Sequence, residues 1–323
     1  MRPLLRRLAV VLFLASLQAC GGGGGGDSSG EPPAATPAPS LDTTLAGYPQ
    51  AYDVYDPGNA TRAVVFLHGG MGDKASFAYK LGLLTQSGTP SSATVNWNWL
   101  AAHRVLAVFP QGQHRADAPK ATTWSNYVMD SGADDRAFLA ALSSTLASRS
   151  GIAAVHYVGH SNGGMMVNRL WCEAPRAASV YVALAGPASE HFLASATPCA
   201  PSLQRPYLGI VGAQDDVLQA KGHWSDPTWT ITPVLADTPA FLDPVLIGEW
   251  AQFQSRVAAV CGESPTLAGA VTVDQTEIWT HCGGRLEVRR PLQLDHSLGL
   301  PEANGGTSLL DTVVDFIDAQ SAP

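Results

Sequence analysis

The chain has 323 residues, 46% apolar and 14% charged. That is enough apolar material for a sizeable core, and it excludes a mostly disordered chain. Its 19 lysines and arginines face 27 aspartates and glutamates, for a net charge of −8. A polyanion-binding protein carries the opposite sign, which sets nucleic acid aside as a partner. The length admits two domains or one large α/β domain.

Residues 1–19, MRPLLRRLAVVLFLASLQA, read as an export signal. Arg2, Arg6 and Arg7 form a positive start, and the apolar run after them is too short to span a bilayer as a helix. The run Leu17-Gln18-Ala19-Cys20 resembles a bacterial lipobox, in which cleavage leaves a lipidated Cys20. The alternative is an ordinary signal cut near Ala19, leaving a free thiol. Residues 20–47, with a run of six glycines, then Asp-Ser-Ser-Gly and EPPAATPAPS, have the composition of a flexible tether ahead of a catalytic body over residues 48–323. Losing the leader removes three arginines and no acids, leaving 16 basic against 27 acidic residues and a net charge of −11. Membrane attachment is therefore expected only through the lipid, since no basic patch assists it.

Within the body, short continuous apolar runs at residues 63–67, 105–109, 153–159, 179–184 and 207–211 read as buried strands. Helical patterns lie between and after them. Residues 131–149 place Phe138, Leu139, Leu142 and Leu146 on one face, with Asp134 and Asp135 as charges in the first turn. Residues 162–173 follow the third strand, and residues 308–317 close the chain. Alternating strands and helices predict an α/β fold with a mostly parallel central sheet and helices on both faces. Such sheets bind ligands beyond the carboxyl ends of their strands.

Gly159-His160-Ser161-Asn162-Gly163 sits at one of those ends. A GxSxG run between a strand and a helix is a nucleophile elbow, which exposes the serine Oγ on a sharp turn. The Asn162 N–H then heads a helix and can donate to a developing oxyanion. Leu67-His68-Gly69-Gly70-Met71-Gly72 follows an earlier strand and supplies the second donor, assigned to Gly70 with Met71 as the alternative. A serine needs a histidine base, and the base needs an acid to set its tautomer. In chain order after Ser161 these are Asp215, with Asp216 as its rival, and His296, which lies between a strand-like run and the last helix. His223 is a weaker candidate for the base, His281, beside Cys282 in strand-like sequence, is expected to be structural, and His68 and His160 are expected to pack or hydrogen-bond beside the site. Cys172, Cys199, Cys261 and Cys282 make an even set, as in an exported protein with two disulfides, and three pairings are open. No spacing suits zinc, so neither a metal nor another cofactor is expected.

GHSNGGMMVNRLWCEAP resembles the polyhydroxybutyrate-depolymerase-like esterases of the α/β-hydrolase class, a group that includes feruloyl and acetyl xylan esterases. VVFLHGG, FPQG with Trp124 after it, ADDRAFLAALSSTLASRSGI, Asp215 after IVG, and Trp250 with Cys261 extend the likeness over the body. The resemblance implies an α/β-hydrolase fold, a Ser161–His296–Asp215 triad and the pairs Cys172–Cys199 and Cys261–Cys282. It also implies a short-chain polyester or its oligomers as substrate, with a feruloyl or acetyl ester of plant polysaccharide as the alternative. The sequence departs from the family pattern at Gln293-Leu294-Asp295-His296, at Asp216 where proline is usual, and in a longer stretch over residues 219–245. Trp97, Trp99, Trp124, Trp224 and Trp229 read as lying in or near loops. Trp124, Trp224 and Trp229 are the candidates for substrate contact, the last two as part of a lid. From a different class, the competing reading is an inactive surface lipoprotein that binds rather than cleaves.

Overall fold

A computed structural model describes residues 37–115, 121–193, 196–215, 217, 249–300 and 308–321. The leader, Cys20, Asp216, His223, Trp224, Trp229 and the stretch expected to form a lid lie outside the described residues.

The elements, in chain order, begin with strands β1 (Ser40–Thr44), β2 (Ala51–Tyr55) and β3 (Arg62–Leu67), then helices α1 (Lys74–Lys80) and α2 (Trp97–His103). Strands β4 (Val105–Pro110), β5 (Gln113–His114) and β6 (Thr122–Thr123) precede helix α3 (Asp135–Ala147). Strand β7 (Ala154–His160), helix α4 (Asn162–Glu173), and strands β8 (Val180–Leu184) and β9 (Tyr207–Ile210) follow. Helix α5 (Glu249–Cys261), strands β10 (Val271–Val273), β11 (Thr276–His281) and β12 (Leu286–Pro291), and helix α6 (Ser308–Ser321) complete the set.

Ten strands form one sheet in the order β1-β2-β4-β3-β7-β8-β9-β12-β11-β10. From β4 to β12 every neighbour is parallel, and the pairs outside that block are antiparallel. Of the parallel strands, β3, β4, β7, β8 and β9 are buried on both faces, which is why they read as apolar runs, whereas β12, half buried, carries Glu287, Arg289 and Arg290. One core joins the sheet to α3, α4 and α5 through Phe138, Leu142, Trp171 and Phe253. The other joins the opposite face to α1, α2 and α6 through Phe77, Leu100, Leu310 and Val313. Loops at the carboxyl ends of the parallel strands therefore stand on a base supported from both sides.

Several local expectations change. Residues 40–44, assigned to the tether, form the edge strand β1 and pair with β2. The register is secured by the side chain of buried Asp53, which accepts the Asp42 N–H at 2.9 Å and pairs with Lys74. Trp97 and Trp99 lie in α2, not in loops. Trp99 is buried and donates its indole N–H to Asp311 Oδ1 of α6 at 2.6 Å, and Trp97 donates to the Ser92 carbonyl at 2.8 Å. Asp134 does cap α3, accepting the Ala137 N–H at 3.0 Å. Asp135 is no exposed helix charge. Its fully buried carboxyl accepts from the Ser125 N–H, the Ser131 hydroxyl and the Gln50 amide at 2.6–2.7 Å, tying the loop over residues 125–131 to α3. Burial pushes that carboxyl above the ordinary aspartate range.

The two disulfides pair Cys172 with Cys199 and Cys261 with Cys282. Each fastens the end of a helix, α4 or α5, to a later loop. Structural disulfides belong to oxidising, non-cytoplasmic compartments. Among the described residues no helix is long and apolar enough to cross a membrane.

Candidate active site

The turn between β7 and α4 places Ser161 at the carboxyl end of a central strand. Its backbone has φ 54° and ψ −120°, a conformation that costs a non-glycine residue on the order of 1–3 kcal/mol. The neighbours pack closely enough to hold it there. A Cβ on Gly159 would overlap the Gly163 carbonyl, and a Cβ on Gly163 would overlap the Leu67 carbonyl of β3. Ser161 stands at the N-cap of α4 but makes no cap hydrogen bond with its side chain. That Oγ instead lies 3.0 Å from His296 Nε2.

His296 comes from the loop after β12, and its Nδ1 lies 2.9 Å from Asp215 Oδ2 in the loop after β9. The Asp215 side chain is fully buried, and that of His296 is 13% exposed. The carboxylate only accepts, so Nδ1 carries the proton and Nε2 is left to accept the serine hydroxyl. The structure thus brings together Ser161, His296 and Asp215, residues separated by 135 and 81 positions.

The loop after β3 lies against the same turn. A Cβ on Gly69 would stand 3.3 Å from Ser161 Cβ, and one on Gly70 would stand 3.8 Å from Asn162 Cβ. The Met71 N–H is engaged, donating to the Thr122 carbonyl at 2.8 Å. Among the described residues the Gly70 N–H has no acceptor. The Asn162 N–H heads α4, where the first amides have no intrahelical partner. The loop after β3 and the first turn of α4 thus lie side by side at the nucleophile.

His68 holds that loop. The Gly112 N–H donates to its Nε2 at 2.9 Å, so the proton sits on Nδ1 and is donated to the Gly69 carbonyl at 2.8 Å. Burial pushes its pKa down to about 4, so it stays neutral. His160 is likewise kept neutral, at about 4, by burial and by the neighbouring His296 ring. His281 pairs with Glu263 at 2.5 Å, away from Ser161.

Trp124 does not form a substrate platform. It is fully buried, its indole N–H donates to the His68 carbonyl at 3.0 Å, and its backbone N–H donates to Asn162 Oδ1 at 2.8 Å. A flat apolar ring is stabilised more by this enclosed slot than by solvent, and the slot also satisfies its N–H. The amide of Asn126 donates to the Asn162 carbonyl at 3.0 Å. Asn126 and Asp135 thus hold up the nucleophile turn through the loop over residues 124–131, a role for which neither carries a local sequence signal.

No protein-family model matches the sequence, and neither does any curated protein. Solved structures do match in fold. An acetyl xylan esterase from Aspergillus awamori aligns with 83% of this chain and 94% of its own, at 12% identity and a TM-score of 0.51. Esterase PE8 aligns with 82% and 96%, at 16% identity and a TM-score of 0.49. A carboxylesterase from Mesorhizobium loti aligns with 84% and 98%, at 15% identity and a TM-score of 0.47. Identities this low speak for architecture alone: the chain has the α/β-hydrolase fold.

Proposed function

We propose that this chain is an exported serine ester hydrolase whose nucleophile, base and acid are Ser161, His296 and Asp215. The observation that carries the reading is the unbroken relay, 3.0 Å from Ser161 Oγ to His296 Nε2 and 2.9 Å from Nδ1 to Asp215 Oδ2. His296 takes the serine proton as Oγ attacks an ester carbonyl, and the amides of Gly70 and Asn162 hold the tetrahedral oxyanion. The protonated base then passes its proton to the departing alcohol, leaving an acyl-serine. Water, deprotonated by His296, then attacks the acyl carbon; the acyl–Oγ bond breaks, His296 returns the proton to Ser161 Oγ, and the carboxylic acid departs.

For substrate we propose short-chain hydroxyalkanoate polyester or its oligomers, on the strength of the sequence resemblance around the nucleophile helix. Export through residues 1–19 and lipidation at Cys20 complete the proposal, and the two disulfides support the oxidising destination. The test is a panel on the purified protein: p-nitrophenyl acetate, hydroxybutyrate oligomers, polyhydroxybutyrate film, methyl ferulate and acetylated xylan. Ser161→Ala serves as the blank and is expected to abolish both turnover and fluorophosphonate labelling. Turnover that survives in Ser161→Ala refutes the mechanism. Preference for ferulate or acetyl xylan moves the substrate to the alternative family activities. No turnover of any ester, without labelling of the wild type, favours a surface protein that only binds. A fatty-acid probe read on wild type and Cys20→Ser tests the anchor.

A further inference from the structure

His160 immediately precedes the nucleophile, at the last position of β7. Its partly buried ring does not bond the serine. Nε2 instead lies 2.8 Å from the main-chain carbonyl oxygen of His296. A carbonyl can only accept, so Nε2 carries the proton and donates it. The His160 and His296 ring centroids are 5.2 Å apart, and Phe77 lies against His160 at 6.2 Å. On the other side, a Cβ on Gly69 would sit 3.3 Å from His160 Nδ1. One ring therefore fills the space between the loop that carries the oxyanion donor and the loop that carries the base.

The His296 loop needs such a support. Apart from the His296 side chain, which reaches Asp215 and Ser161, its other described bonds are internal, run to the acid loop, or, through the Leu292 N–H, reach the Gln275 carbonyl at 2.8 Å. Asp295 Oδ1 accepts from the Ser297 N–H and hydroxyl, the Leu298 N–H donates to the Asp295 carbonyl, and the Gln214 N–H donates to the Leu294 carbonyl. These bonds, with Leu298 and Leu300 buried in the core, shape and seat the loop, but none of them joins its main chain to the nucleophile strand. The His160 bond makes that join, because its donor belongs to the residue next to the nucleophile.

Resting on the triad reading above, we propose that His160 is a positioning residue: its Nε2–H anchors the main chain of His296 and so sets the separation between base and nucleophile. The anchor must be a donor without charge. His296 becomes a cation when it takes the serine proton, and a second cation 5 Å away would oppose that step. Neutral imidazole meets both requirements at working pH. A glutamine amide, which can donate from about the same place, meets them too, and leucine fills the space without donating.

The test compares wild type with His160→Gln and His160→Leu. With p-nitrophenyl acetate, His160→Leu is expected to lower kcat about 10–100-fold with KM changed less than about 2-fold, the scale of a misplacement near 1 Å. His160→Gln is expected to stay within about 3-fold of wild type in kcat. A second readout needs no substrate: the low-field proton NMR signal of His296 Nδ1–H, bonded to Asp215. It is expected in wild type and His160→Gln, and broadened by solvent exchange in His160→Leu. Retention of both kcat and signal in His160→Leu overturns the proposal, as does equal impairment of the two variants. Should His160→Leu fail to fold, His160→Asn, whose amide is too short to reach the carbonyl, is read against His160→Gln in its place. If the wild type cleaves no ester, the esterase reading fails while the NMR comparison still decides the role of His160.

Discussion

Glu249→Gln separates a buried charge from the fold that holds it. Glu249 opens α5 and is 1% exposed. Its Oε1 accepts the Tyr207 hydroxyl at 3.0 Å, and among the described residues its Oε2 has no hydrogen-bond partner. Burial raises the carboxyl from its ordinary 4.5 to about 7, against an opposing pull from buried Arg256. A folded-state value above the unfolded one means that folding favours the protonated acid. The stability linked to this group is present below pH 4.5 and is lost as pH rises through about 7. At about 1.36 kcal/mol per pKa unit, the loss between pH 4.5 and pH 8 comes to about 3 kcal/mol. Glutamine keeps the volume and the acceptor for Tyr207 but cannot ionise. Wild type and Glu249→Gln should therefore unfold alike in urea near pH 4.5. At pH 8 the variant should be more stable by about 3 kcal/mol, or about 5 °C in Tm for a body of this size. Taking the difference between the two proteins removes the opposite trend of His68 and His156. Both are lowered to about 4 by burial, so they favour folding while neutral and weaken it as pH falls below 6.5. A stability difference that does not change with pH, or a wild type that is the more stable at pH 8, would refute the reasoning. Either result would mean that Glu249 is as comfortably ionised inside the protein as outside.

Two further outcomes follow from the site and its staples. Asp215→Asn leaves the loop's shape but replaces an obligate acceptor with an amide, so kcat should fall by about 10⁴ while the fold and KM hold, read by steady-state kinetics beside circular dichroism. A fall smaller than tenfold would place the acid elsewhere. Cys172→Ala with Cys199→Ala opens a bridge that joins residues 27 apart and should cost about 3–4 kcal/mol in urea unfolding on the chain-entropy model, with little change in kcat at 25 °C. An unchanged denaturation midpoint would show that α4 is held by its core packing alone.

What was legible in the sequence was local. The apolar runs of β3, β4, β7, β8 and β9 could be seen because a parallel strand buried on both faces has no polar alternation to hide it. Helix α4 was legible to its ends, since the nucleophile turn marks its start and its apolar side chains continue to Cys172. The candidate triad could be named because chain order in this architecture assigns each member to the loop after a particular strand. Helices α1 and α2 were not visible. Seven residues make barely two turns, too few for a period to show, and capping by Asp73 and Asn96 with packing across the sheet decides them.

Contacts between distant residues were closed to sequence reading. Trp124 reads the same whether it lines a groove or fills a core, and only the His68 carbonyl and the Asn162 amide fix which. Asp135 reads as a helix charge until residues 50, 125 and 131 surround it. His160 is one more histidine until a carbonyl from 136 positions away arrives at its Nε2. The sequence by itself determined the strand–turn–helix unit that strains and exposes Ser161, because backbone sterics and side-chain burial act over a few residues. The tertiary structure alone decided which polar groups meet across the loops, because those partners are chosen by the sheet order that brings their strands side by side.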